Sequence, residues 1–217
     1  MGKGCSLILL FFCLLMTSCG QSEHRASVPV PIPYDSLRVT LEKIYDTDQA
    51  VRQGFDQVKE KDRITFFRKM QGVDSVNQLA VVKMLQQYGW LPQSKIGGKA
   101  ADGLFLVVQH APAPVIRKYL PSLKLMAQKG EASATDAAMM EDRLLMFEGE
   151  KQIYGTQATS MGREDGSMFI WPIKDSKHVN ERRKAVGFRV TVEEYAKLMN
   201  AAYNPDEALP PKKQVFH

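Results

Sequence analysis

The sequence predicts a mainly α fold of the α+β class: a single helical domain with a small C-terminal β-hairpin. Three observations carry this. Apolar residues recur at steps of three and four through most of the stretch from Asp35 to Phe147. The period changes to short, aromatic-bearing runs only at Gln152–Gln157 and Ser167–Ile173, which Gly162, Asp165 and Gly166 separate. Helical spacing then returns from Asp175 to Ala185 and from Thr191 to Tyr203. The chain has 217 residues, a net charge of +5, 44% hydrophobic and 24% charged content, values of an ordinary globular protein. They exclude a collagen-like chain, a disordered polyelectrolyte and a polytopic membrane protein.

Taken in order, a first helix starts at Asp35, a credible N-cap, and runs to about Gln57 through Leu37, Leu41, Ile44, Tyr45, Val51 and Phe55. Further helical stretches are expected over Asp62–Met70 and Asp74–Tyr88, the latter closed by Gly89. Gly97–Val108 is apolar over most of its circumference and reads as the central buried helix. Pro112 and Pro114 stop it. Helices from Val115 to Gln128, kinked at Pro121, and from Thr135, a plausible N-cap, to Phe147 complete the helical part. Internal repeats and low-complexity tracts are absent.

The amino terminus carries an address. Lys3 precedes an uncharged apolar run from Leu7 to Met16, ten residues long, where a spanning helix needs roughly 20. Thr17-Ser18-Cys19 resembles the lipobox of bacterial lipoproteins, with Met16 in place of the usual Leu. The resemblance implies a signal peptide over residues 1–18, cleavage before Cys19 and acylation of Cys19, with the lipid bilayer as a partner. Gly20 follows where an Asp would resemble an inner-membrane retention signal, so the expected address is the outer membrane. Residues 19–34, with Pro29, Pro31 and Pro33, read as an extended tether. A single globular domain is expected over 35–205 and a flexible tail over 206–217. Cys5, Cys13 and Cys19 are the only cysteines, so the mature body has no disulfide framework, thiolate metal site or Cys nucleophile.

Polar residues at the ends of apolar elements are the candidates for function. His110 follows Gln109 after the central helix and could act as a general base, since an imidazole exchanges protons near neutrality. Capping of the helix end is its structural role. Asp48 and Arg52 are four apart and can pair on one helix face. Asp142 and Arg143 are adjacent, so they point about 100° apart. Tyr154-Gly155-Thr156-Gln157 supplies hydroxyl and amide groups around a glycine that permits close approach, or else a structural turn. Trp90 could line a ligand site or fill the core.

Asp48-Gln49 with Arg52, Gly89-Trp90 with Pro92, Gly97 or Gly98, Gln109-His110-Ala111, Asp142-Arg143, Tyr154-Gly155-Thr156-Gln157, Pro172-Ile173 and Arg182-Arg183 together resemble an uncharacterised bacterial domain-of-unknown-function family. The likeness covers about Asp48 to Tyr195. Leu91 departs from the family's Pro after Trp, and Pro112-Ala113-Pro114 replaces its acidic residues, which weakens a metal or proton-relay role for that loop. The resemblance implies no activity.

No phosphate loop, His-Glu-x-x-His or Gly-x-Ser-x-Gly is present, and the positive charge is scattered, with no nucleic-acid footprint. No metal or cofactor is expected. The expectation is an envelope lipoprotein that binds a polar ligand or partner protein through Asp48, Arg52, Trp90, Gln109, Tyr154, Thr156 and Gln157. The alternative is a hydrolase of cell-wall or glycan material, with His110 as base, Asp142 orienting it, Arg143 stabilising an oxyanion, and Thr156 as nucleophile if it lies within hydrogen-bond reach of His110, an activated water otherwise. A scaffold lipoprotein, with every motif structural, is the third reading.

Overall fold

The computed structural model describes residues 31–211 together with Met1. The signal peptide, Cys19, most of the tether and residues 212–217 lie outside the described residues. Helix α1 spans Tyr34–Arg52. Pro33 occupies its N-cap, not Asp35; Asp35 sits in the first turn, where its charge suits the helix N-terminus and it pairs with Arg38 at 2.9 Å. The helix stops short of Gln57 because Gly54 takes a left-handed conformation, φ 78°, after which Phe55–Gln57 forms a 3₁₀ turn.

A second 3₁₀ turn at Glu60–Asp62 leads into α2, Arg63–Tyr88, one 26-residue helix where the sequence suggested two. Gly72 lies inside it without breaking it; a helical glycine costs only about 1 kcal/mol relative to Ala. Gly89, φ 71°, ends α2 as expected. A single turn, α3 (Gln93–Ile96), precedes α4 (Gly98–Gln109). Then come α5 (Ala113–Gln128), with Pro121 inside it, and α6 (Ala134–Phe147). Ser133, not Thr135, caps α6: its hydroxyl accepts from the Asp136 N–H at 3.1 Å.

The hairpin is smaller than the sequence suggested. β1 (Ala158–Thr159) pairs antiparallel with β2 (Phe169–Ile170), Ala158 opposite Ile170 and Thr159 opposite Phe169. Gln152–Gln157 is not a strand; it is a loop with one parallel bridge from Gln152 to Ile173. A 3₁₀ turn at Ser176–His178 opens α7 (Val179–Val186), and Thr191 and Glu194 form a capping box on α8 (Val192–Leu198). The chain then turns back, and Ala202 bridges Phe169. Among the described residues, no helix is long and apolar enough to cross a membrane.

α4 is the centre of the main core, with Ala100, Leu104, Val107 and Val108 buried. It lies directly on α1, because a Cβ on Gly103 would stand 2.5 Å from the Leu41 carbonyl oxygen. α5 and α6 run antiparallel, tied by Lys124–Glu141 and Arg117–Glu148, each 2.7 Å. A second core gathers Ile170, Ile173, Val179, Val192 and Ala196 beside the hairpin.

Asp102 in α4 lies within electrostatic reach of Asp136 in the first turn of α6. Burial, the charge of Asp102 adding to it, pushes the Asp136 carboxyl from 3.8 up to about 6, against the Ser133 hydrogen bond. The folded state therefore holds a proton that the unfolded chain has released. Stability from this group is highest below about pH 4, falls as pH rises from 4 to 6, and stays lower above that. Asp136→Asn is expected to flatten that slope and raise stability at pH 7 by about 1–2 kcal/mol, read from urea melts at pH 4 and 7.

Candidate functional site

Three helices deliver one polar cluster to the end of the bundle. α1 is amphipathic and ends there, bringing Asp48 and Arg52 one turn apart; α2 supplies Asp74 and the C-cap of α4 supplies His110. The Arg52 guanidinium occupies the middle. Its Nη1 meets Asp48 Oδ1 at 2.8 Å and its Nη2 meets Asp74 Oδ1 at 2.9 Å. Nη2 also lies 2.8 Å from His110 Nδ1. A guanidinium only donates, so Nδ1 takes this bond in the tautomer that carries its proton on Nε2; toward Asp48 the same nitrogen acts as the donor when the proton is on Nδ1. Asp48 Oδ1 is 3.5 Å from the same ring nitrogen, and Asp48 Oδ2 accepts from Gln49 Nε2 at 2.9 Å. Burial pushes the Asp48 carboxyl up, but the His110 ring, Arg52 and Gln49 outweigh it and hold it below the ordinary aspartate value. Asp74, absent from the sequence-based candidates, has no local signal; only the packing of α2 across α1 brings it in.

Asp48, Asp74 and His110 offer oxygen and nitrogen atoms within 4.8 Å of one another, a separation that suits a cation. The cation already among them is Arg52, which neutralises both carboxylates and takes up the Nδ1 lone pair. A metal ion would have to displace it, so the donor set does not favour a metal.

Gln109 and Arg143 belong to the same end of the molecule. The Arg52 charge reaches Arg143, and Gln109 directly precedes His110 at the end of α4. Gln109 is 2% exposed, and neither end of its amide has a hydrogen-bond partner. Arg143 is partly buried. Desolvation lowers its pKa, a rise from Tyr195 opposes this, and the neighbouring charge of Arg52 adds to the lowering. Its Nε has no partner, its guanidinium rests 5.9 Å from the Phe147 ring, and among the described residues no carboxylate pairs with it. A buried guanidinium without a counter-charge is costly, as is a buried amide without partners.

Asp142 and the Tyr154–Gln157 segment form a different unit. Asp142 is fully buried, and its Oδ1 accepts from the N–H of Ile153 at 2.7 Å and of Tyr154 at 3.0 Å. Its Oδ2 accepts from the Thr156 N–H at 3.0 Å and the Thr156 hydroxyl at 2.9 Å. Burial pushes this carboxyl above the ordinary aspartate value, and those donors oppose the rise. The carbonyl side of the same loop is held from α7 and α8. Arg182 Nε donates to Ile153 O at 3.0 Å, Arg183 Nη1 to Tyr154 O at 2.8 Å, and the Tyr195 hydroxyl to Thr156 O at 3.1 Å. Arg183 itself is buried between the rings of Phe188 and Tyr195, at 4.6 and 5.1 Å.

Gln152 completes the loop: its amide donates to Gln157 O and Trp171 O, and its oxygen accepts from the Gln157 N–H at 2.9 Å. The Gln157 side chain donates to Thr156 Oγ1 at 2.9 Å. This is how a buried segment without a sheet partner satisfies its backbone. Gly155, φ 70°, is required there, because a Cβ would lie 2.7 Å from both Ile173 Cδ1 and Val192 Cγ2.

The sequence candidates therefore divide. Asp48, Arg52 and His110 meet directly, and Gln109 and Arg143 stand at the same level of the bundle. Asp142, Thr156 and Gln157 spend their polar atoms on the loop, with the half-buried Tyr154 ring 6.5 Å from that of Phe188. Trp90 is buried in the main core. The acceptors and donors of Asp142 and Thr156 are not directed at His110, so the structure assembles no His110–Asp142–Thr156 unit.

No curated protein and no solved structure matches the chain. A family model described as "Family of unknown function (DUF6624)" matches residues 35–206, which contain both strands and all the helices described above except the first residue of α1. The chain thus belongs to DUF6624, a family of unknown function, as the ordered motifs led one to expect of an uncharacterised domain family.

Proposed function

We propose that this chain is a bacterial envelope lipoprotein, acylated at Cys19 and held at the outer membrane, whose helical domain binds a polar ligand bearing an anionic group. The ligand would sit at the end of the bundle where Asp48, Arg52, Gln109, His110 and Arg143 gather. The observation that carries this reading is Arg143: partly buried, its Nε shielded from water without a hydrogen-bond partner, within reach of the Arg52 charge, and without a carboxylate partner among the described residues. An incoming carboxylate or phosphate supplies the missing counter-charge, and a charge-assisted bond to a guanidinium is among the strongest polar contacts available. Gln109 adds an amide with unused donors and acceptors.

Calorimetric titration of the protein with inorganic phosphate and with carboxylate-bearing cell-wall fragments tests this. Arg143→Met is expected to weaken binding about tenfold to a hundredfold, and His110→Ala by a smaller factor. Unchanged affinity in both variants, with the envelope phenotype intact, would remove the site assignment. The hydrolase reading keeps His110 and Arg143 but loses Asp142 and Thr156 to the loop, so its nucleophile would have to be water; release of soluble fragments from purified cell-wall material, abolished by His110→Ala, is the result that reading requires.

A further inference from the structure

The amino-terminal half of α2 is a helix without a floor. Its buried residues, Asn77, Val81 and Leu85, all lie in the second half. Before them the apolar stripe continues past the end of the bundle: Phe67 is 45% exposed and Phe66 and Met70 are only partly covered. Phe55, in the 3₁₀ turn after α1, joins this overhang, its ring 5.5 Å from those of both Phe66 and Phe67. Ile64, 66% exposed, extends the apolar surface around the helix. An aromatic cluster so open to water is costly unless something covers it.

The surrounding charge indicates what does. Residues 59–69 carry five basic and two acidic side chains, and Lys59, Lys61, Thr65, Phe66 and Lys69 border a groove of about 520 Å³ beside the aromatics. Exposed Phe and Ile surrounded by Lys and Arg on a short helical segment is the composition of an interfacial helix, whose rings enter the headgroup boundary while its cations meet anionic lipid. We infer that the Phe55–Met70 segment docks on an anionic membrane surface, with Phe55, Ile64 and Phe67 inserted and Lys59, Lys61, Arg68 and Lys69 against the headgroups. This does not depend on the ligand site, and it needs no acyl chain to be tested.

Chain length allows the docking to coexist with an anchor at Cys19. The 15 residues from Cys19 to Pro33 can reach roughly 50 Å when extended, whereas α1 separates Tyr34 from Arg52 by only about 28 Å. A tethered domain can therefore lie with its far end on the bilayer. One acyl-bearing residue and one basic aromatic patch would then act together as two membrane signals.

The experiment is flotation of the chain from Gly20 onward, which keeps the whole Ile32–His217 unit and has no lipid attached, with vesicles of phosphatidylglycerol and phosphatidylethanolamine or of phosphatidylcholine alone. Binding to the anionic vesicles is expected, reduced about tenfold in 0.5 M salt and about tenfold in a Phe55→Ser, Phe67→Ser double variant whose melting temperature is close to that of the parent. Lys59→Glu with Lys69→Glu should act through charge alone. Absence of binding to anionic vesicles, or binding equal on both vesicle types and untouched by the serine pair, overturns the proposal. So does a parent chain that self-associates while the serine variant is monomeric, since the face would then be an interface between copies.

Discussion

Asp142→Ala is expected to destabilise the domain by about 3–5 kcal/mol, because it strands the Ile153, Tyr154 and Thr156 N–H groups and the Thr156 hydroxyl in the interior. In a domain of this size, that corresponds to a fall in melting temperature of about 10 °C or more, at about 2–4 °C per kcal/mol. Asp142→Asn keeps one acceptor oxygen but turns an amide NH₂ toward the remaining N–H donors, so its loss should be smaller and still well above 1 kcal/mol. Thermal melts of the two variants decide between a loop-holding and a catalytic Asp142. A catalytic orienter would lose function on conversion to Asn with stability preserved; a melt within about 1 kcal/mol of the parent for Asp142→Ala would mean that the loop does not depend on this carboxylate.

Gly155→Ala is the second large effect, about 2–5 kcal/mol. Part of it comes from the backbone, since φ 70° costs a residue with a Cβ about 1–2 kcal/mol. The rest comes from the 2.7 Å overlaps with Ile173 Cδ1 and Val192 Cγ2, overpacking of the kind that costs about 1–3 kcal/mol. Val192 is β-branched and fully buried in the first turn of α8, so it has little freedom to move aside. The expected readout is a lower urea midpoint with loss of near-ultraviolet signal from Trp171, whose indole donates to Glu150 O beside this loop. An unchanged midpoint would mean that the second core yields more easily than its packing indicates.

Much of the helical architecture was legible because it depends on local periodicity. The apolar character of Gly97–Val108 placed the central helix within a residue of α4, and Gly89 marked the end of α2, its φ of 71° giving the reason. Boundaries that depend on a single cap were harder to read. Asp35 and Thr135 are good capping residues close to the positions that begin the helices, Pro33 and Ser133; Ser133 is chosen because its hydroxyl reaches the N–H of the third helical residue, whereas α1 begins after Pro33 with no side-chain cap. The run from Gln152 to Gln157 misled for a related reason. A short, aromatic-bearing run suits a strand, but only its ends, Gln152 and Gln157, bond to the 171–174 backbone; from Ile153 to Thr156 the backbone finds its partners in Asp142, Arg182, Arg183 and Tyr195.

The same distinction applies to the site. Asp48 and Arg52 share a helix, and their four-residue spacing announced the pair. His110 stood out because it ends an apolar helix. Asp74, 22 residues beyond Arg52, could not be read in advance, because long-range pairing depends on how helices cross. The sequence alone thus determined the helical class and the placement of most elements, since each of these rests on neighbours within a few residues. Only the tertiary structure decided that Asp142 serves a buried loop while Arg143, its neighbour in the chain, is left without a counter-charge beside Arg52. Adjacent residues on a helix point about 100° apart, and what each then meets is set by packing, not by its own neighbourhood.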